Sequence, residues 1–101
     1  MKSCVVTSRA IRDLNQIWDY LSQDSIETAN RVLTTIENAF SKLAKSPGIG
    51  HFREDLADQR YKFFLVYSYL IVYRFQASPI EVIRVLHVSR DIQAILGMTF
   101  D

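Results

Sequence analysis

The groups in this sequence that could do chemistry gather in one stretch, Arg84-Val85-Leu86-His87-Val88-Ser89-Arg90-Asp91, where an apolar run alternating with charge ends in a compact polar cluster. An imidazole, a hydroxyl, a guanidinium and a carboxylate in succession are the equipment of acid–base chemistry on an anionic substrate, or of a grip on an anionic partner. Just upstream, Tyr69-Leu70-Ile71-Val72-Tyr73-Arg74-Phe75 is a second strand-like run that also reaches an arginine. Two neighbouring strands would bring Arg74, Arg84, His87 and Arg90 to one region. Each residue also has a plainer structural role. Arg74 and Arg84 would pair with carboxylates such as Glu81 or Asp91, His87 would hydrogen-bond a neighbour at a strand end, and Asp91 would cap a following helix.

The elements that must position these residues can be read in chain order. Residues 2–7 are rich in β-branched side chains and read as a short strand. Ser8 is placed to cap a helix whose apolar residues Ile11, Leu14, Ile17, Trp18 and Leu21 recur at helical spacing and which ends near Gln23. Asp24, with Glu27 three residues on, has the form of a capping box for a second helix carrying Ala29, Val32, Leu33, Ile36, Phe40 and Leu43 on one face. So short a link folds the two helices into an antiparallel hairpin. Pro47-Gly48-Ile49-Gly50 closes the second helix, and residues 51–59 read as a polar loop with a helical turn over 54–57.

Three strand-like runs follow, at 60–67, 69–76 and 80–88, separated by Ser68 and by Ala77-Ser78-Pro79. Connections this short favour an antiparallel meander. The register of the last hairpin stays open: Arg74 opposite Glu81 gives an ion pair, whereas Tyr73 opposite Ile83 gives an aromatic contact with a β-branched residue. The strands are apolar on both faces, so the hairpin covers one and a terminal helix over 91–97 covers part of the other, leaving apolar surface for a partner. Trp18 reads as core and Tyr20 as helix surface, and the aromatic residues of 61–75 read as core rather than as a stacking platform for bases.

At 101 residues, with 49% hydrophobic and 12% aromatic composition, the chain is expected to be one globular domain, 1–101, that buries roughly 65% of its unfolded surface. A formal net charge of +1, with six basic and six acidic residues in the second half, argues against a dedicated nucleic-acid binder. The lone Cys4 fits a buried thiol in a reducing cytoplasm. No run approaches the roughly 18 apolar residues of a membrane helix. His51 and His87 are far apart in sequence and no glycine-rich phosphate loop is present, so neither a metal nor a cofactor is expected.

The expected order, strand-helix-helix-strand-strand-strand-helix, comes with ordered residue strings. These are Ala10, Leu14, Ile17, Trp18 and Tyr20; Phe40, Leu43 and Pro47; Gly50, Arg53 and Arg60; Tyr69 to Arg74; and Arg84-Val85-Leu86-His87 with Arg90-Asp91. Together they resemble the ParE branch of the RelE/ParE toxin superfamily over about residues 5–96. The resemblance implies an α+β fold, a helical hairpin packed on a small, mainly antiparallel sheet. It implies the toxin of a bacterial type II toxin–antitoxin pair, causing growth arrest and serving plasmid stabilization. A cognate antitoxin would silence it through an extended or helical segment laid over exposed apolar surface.

In the ParE branch the target is DNA gyrase; in the RelE branch the fold is a ribosome-dependent mRNA endoribonuclease. A nuclease here would draw on Arg60, Arg74, Arg84, His87 and Arg90. As a protein that only grips, the chain would present Arg53, Arg60, Arg74, Arg84, His87 and Arg90 to its target or partner. The RelE pattern also uses lysines in the middle loop and a tyrosine or histidine in the last helix. Residues 48–59 hold no lysine, and the tail offers Ile92, Ala94, Ile95 and Leu96, which favours the gyrase reading. A third reading is a degenerate module that binds its antitoxin without toxicity.

Overall fold

A computed structural model describes residues 4–99. Its elements run β1 (Val5–Val6), α1 (Ser8–Ser22), α2 (Ile26–Lys45), a 3-10 turn (Pro47–Ile49), β2 (Tyr61–Val66), β3 (Tyr69–Arg74), β4 (Glu81–His87) and α3 (Ile92–Thr99). The four strands form one sheet in the order β1-β4-β3-β2. The β2–β3 and β3–β4 pairs are antiparallel, and β1 runs parallel to β4. The expected α+β architecture is therefore present. Lys2 and Ser3 of the expected first strand lie outside the described residues.

Both helix starts differ by one residue from the sequence reading, for the same reason. Thr7, in extended backbone, accepts the Ala10 N–H, and Ser8 is already helical. Ser25, also extended, accepts the Thr28 N–H, so Ser25 rather than Asp24 is the cap of α2. A cap needs β-region backbone so that its side-chain oxygen can turn back to the third helical N–H, and only these two residues have it. Asp91 does cap α3 as expected, accepting from the Ala94 N–H at 3.2 Å.

Strand alternation divides the core in two. Tyr69, Ile71 and Tyr73 of β3, with Val82 and Val85 of β4, pack under Ala10, Ile36, Ala39, Phe40 and Leu43 of the hairpin. Leu70, Val72 and Leu86 face the other way and are covered by Ile92 and Leu96 of α3, with Leu56 from the loop. Cys4 sits half-buried at the edge of the first layer, where burial raises the pKa of its thiol. The last hairpin takes the ion-pair register, Arg74 opposite Glu81 and Tyr73 opposite Val82. A register shift then sets Val72 opposite Arg84, so Ile83 is passed over and its pairing with Tyr73 does not form. The β2–β3 turn was weakly marked in sequence because it is made by Tyr67 at φ 54°, a conformation usually given to glycine or asparagine.

The segment after α2 is tied down by one side chain. Tyr73, fully buried, donates its hydroxyl to the Pro47 carbonyl at 2.7 Å and accepts the Gly50 N–H at 3.0 Å. A Cβ on Gly50 would overlap that hydroxyl and come within 3.0 Å of the Phe63 carbonyl, so glycine is required by this approach. His51 then pairs with Phe63 through two 2.8 Å backbone bonds, so the expected loop begins with one bridged residue against the β2 edge. The helical turn expected over 54–57 is a turn, in which Arg53 O accepts from the Leu56 and Ala57 N–H groups. Tyr73→Phe is expected to cost about 1–3 kcal/mol, since it strips a partner from a buried N–H and a carbonyl at once. Urea unfolding measures it, and a loss below about 0.5 kcal/mol would mean that the tie is replaced by water.

Candidate functional site

The arginines singled out in the sequence do not meet. β1 is so short that the edge of β4 beyond Val82 is open, and α1 closes it. Thr7 bonds the edge twice, N–H to the Val82 carbonyl at 3.1 Å and hydroxyl to the Ile83 carbonyl at 3.0 Å. One turn and a half into α1, Asp13 accepts the Val85 N–H at 3.0 Å. The same carboxylate takes both arms of Arg84, Nε at 2.7 Å and Nη2 at 2.9 Å. The remaining Nη1 donates to Thr99 Oγ1 at 2.8 Å, and Thr99 in turn donates to the Ile95 carbonyl. With side-chain exposures of 12% for Arg84 and 5% for Asp13, this is a buried tie between α1, β4 and α3. Arg84 has no face left for a substrate, and its partner is Asp13 rather than Glu81 or Asp91.

Arg74 is in its expected pair with Glu81, at 2.9 Å. That pair lies at the opposite end of the β3–β4 ladder from His87, which faces Tyr69. Five residues of strand separate them, roughly 16 Å at the usual rise. Arg53 pairs with Asp55 at 2.9 Å and Arg60 with Asp58 at 2.7 Å, both on the exposed loop before β2. The side-chain hydrogen bond from Arg60 pulls the Asp58 carboxyl down to about 2. Of the six residues proposed from sequence, only His87 and Arg90 come together.

They do so in a pocket of about 370 Å³ between α1 and the turn after β4, lined also by Gln16, Tyr20, Tyr69 and Ser89. Tyr69 and His87 are cross-strand partners whose rings meet edge to face, with centroids 5.2 Å apart. Burial, with Tyr20 close by, raises the Tyr69 phenol. Ser89 turns its backbone N–H (3.0 Å) and its hydroxyl (2.8 Å) toward His87 Nδ1. A backbone donor at Nδ1 needs a lone pair there, which assigns the neutral ring's proton to Nε2. His87 is thus the hydrogen-bonded strand-end histidine of the plainer reading, with one donor left over.

The α1 and β3 walls of this pocket were missed in sequence. One signal existed: Asp13 stands three residues after Ala10 and four before Ile17, an acid within the apolar stripe of α1.

A second concavity, of about 420 Å³, lies between α1 and α2 beside β1 and is lined by Val6, Ile11, Leu14, Asn15, Trp18, Leu33, Glu37 and Phe40. Ile11, counted in the apolar stripe of α1, is 49% exposed here. Trp18 is held against α2 by a 2.9 Å bond from its indole N–H to Asn30 Oδ1. The groove is apolar except for Asn15 and the single acid Glu37.

A helical hairpin on one face of a four-stranded, mainly antiparallel sheet, with a short terminal helix on the other, is the architecture that the resemblance to the RelE/ParE class implied. A profile of the family described as ParE toxin of type II toxin–antitoxin system, parDE, matches residues 5–92. The toxin ParE1 of Caulobacter vibrioides is 33% identical over 98 residues, covering 96% of this chain and all of that protein. A solved structure described as the chromosomal ParDE toxin–antitoxin system from P. aeruginosa superposes with a TM-score of 0.70 at 20% identity, over 86% of this chain and 96% of that one. The chain belongs to the ParE toxin family of type II toxin–antitoxin systems.

Proposed function

We propose that this toxin acts on DNA gyrase by binding it, not by cleaving RNA, and that a cognate antitoxin silences it by laying an amphipathic helix in the α1–α2 groove. The observation that carries the first half is the commitment of the cations. A ribonuclease must gather a base, an acid and uncommitted positive charge around one phosphate. Arg53, Arg60, Arg74 and Arg84 are each bound to a carboxylate of the same chain, which leaves Arg90 as the one candidate cation beside His87 among the described residues, and Nδ1 of His87 is engaged by Ser89. The groove supports the second half. Exposed Ile11 with Leu14, Trp18, Leu33 and Phe40 presents the anchors that receive an apolar helix face, and Glu37 favours a basic residue at its margin.

No helix among the described residues is long and apolar enough to cross a membrane. The proposed target and partner are macromolecules of the cytoplasm. Purified toxin is expected to block supercoiling by gyrase and to raise the yield of cleaved DNA, while leaving mRNA on translating ribosomes intact. Unchanged gyrase activity together with codon-position cuts in mRNA would replace this reading with the nuclease one.

A further inference from the structure

We propose that the pocket between α1 and the β4–α3 turn binds one unpaired nucleotide of a single-stranded nucleic acid, its base against Tyr20, Tyr69 and His87 and its phosphate on Arg90. At about 370 Å³ the pocket is of a size that holds a small flat group such as one nucleotide. Three rings line it. Tyr69, mostly buried, and His87 meet edge to face, whereas Tyr20 is 71% exposed. Flat rings select a ligand with a flat face, and every base has one whatever the sequence.

The polar groups select the charge. Arg90 has no ion pair among the described residues, because its neighbour Asp91 is turned into the first turn of α3. His87 offers Nε2–H, and Gln16 and Tyr20 add neutral donors. The only acid in the wall, Asp13, spends its oxygens on Arg84 and the Val85 N–H. A pocket rich in donors with its acid already satisfied suits an acceptor-rich anion, not an amine. Arg9 lies on the same stripe of α1, four residues before Asp13 and eleven before Tyr20, exposed and without an ion pair among the described residues. It stands where a neighbouring phosphate of an extended strand would pass. A duplex is excluded by the same features, since its bases are stacked and cannot enter. The overall charge of +1 does not oppose this reading, because Arg53, Arg60, Arg74 and Arg84 are each paired with an acid while Arg9 and Arg90 have no ion pair among the described residues.

The site is one of binding: with Nδ1 of His87 engaged by Ser89, no step of strand cleavage is assigned to it. It also stands apart from the identity of the target, so the test contains no gyrase. Free toxin is titrated into fluorescein-labelled ten-residue single-stranded DNA, single-stranded RNA, duplex DNA and a peptide of alternating glutamate and tyrosine, with fluorescence anisotropy as the readout. Single strands should bind at least tenfold more tightly than the duplex and more weakly as salt rises. Either polymer binding upholds the pocket, and the preferred one names the source of the nucleotide. Arg90→Ala and Tyr20→Ala should each weaken binding at least tenfold with unchanged thermal midpoints, and Arg31→Ala on α2 should leave it unchanged. Single strands that bind no better than duplex, variants that bind like the parent, or tight binding of the acidic peptide alone would overturn the proposal.

Discussion

Asp13→Asn is expected to lower the folding stability by about 3–5 kcal/mol, the cost of leaving a buried guanidinium without its countercharge. The amide keeps the shape of the carboxylate but not its capacity. Its oxygen can accept from Arg84 or from Val85, and its NH₂ then faces a donor where an acceptor stood. For a domain of this length the loss corresponds to a thermal midpoint lower by roughly 15–30 °C. Replacing both partners, Asp13→Leu with Arg84→Met, removes the stranded charge and should cost less than the single change, although the Val85 N–H still loses its acceptor. Calorimetry on the three proteins decides it. A single substitution costing under about 1 kcal/mol would show that water reaches the pair and screens it. The same physics makes Arg84→Ala a poor probe of catalysis, because a loss of activity there would report unfolding.

Ile11→Glu should have the largest effect on partner binding while leaving the fold intact. Ile11 is half exposed and contributes little to the core, yet it lines the hairpin groove. A carboxylate there must be desolvated under an incoming apolar helix and joins Glu37, already in the wall. Antitoxin affinity is expected to fall at least a hundredfold, about 2.7 kcal/mol. Isothermal titration with the cognate antitoxin measures this, and co-expression should then fail to relieve growth arrest. Wild-type affinity in the variant would move the docking site off the groove.

The fold was legible because its signals are periodic and local. Leu14, Ile17 and Leu21 mark α1 by spacing, Ile36, Phe40 and Leu43 mark α2, and the two-faced apolar strands require cover on both sides, which α2 and α3 provide. The ordered strings from Ala10 to Asp91 carried the family as well. The site was less legible, because charge partners are chosen by tertiary geometry. Arg84 was matched with acids near it in sequence, whereas its partner lies 71 residues away on α1. Ile11 was grouped with the apolar stripe of α1 by spacing alone, since a helix wheel cannot tell the sheet-facing flank of such a stripe from a flank left open as a groove. Asp13 was the one polar residue inside that stripe, and a buried acid in such a place asks for a cation from elsewhere in the chain.

The distance in sequence between α1 and β4 also orders events during synthesis. Val5 and Val6 find their parallel partners only at Glu81 and Val82, and the Asp13 carboxylate waits for Arg84. By contrast, every wall of the hairpin groove is contributed by residues up to Phe40. On a ribosome delivering about 5–20 residues per second, several seconds separate emergence of the groove residues from emergence of β4. An antitoxin that recognises the groove therefore meets its binding residues before the sheet and the pocket beside α1 can be completed. If the antitoxin docks there as proposed, neutralisation can begin before the sheet is complete.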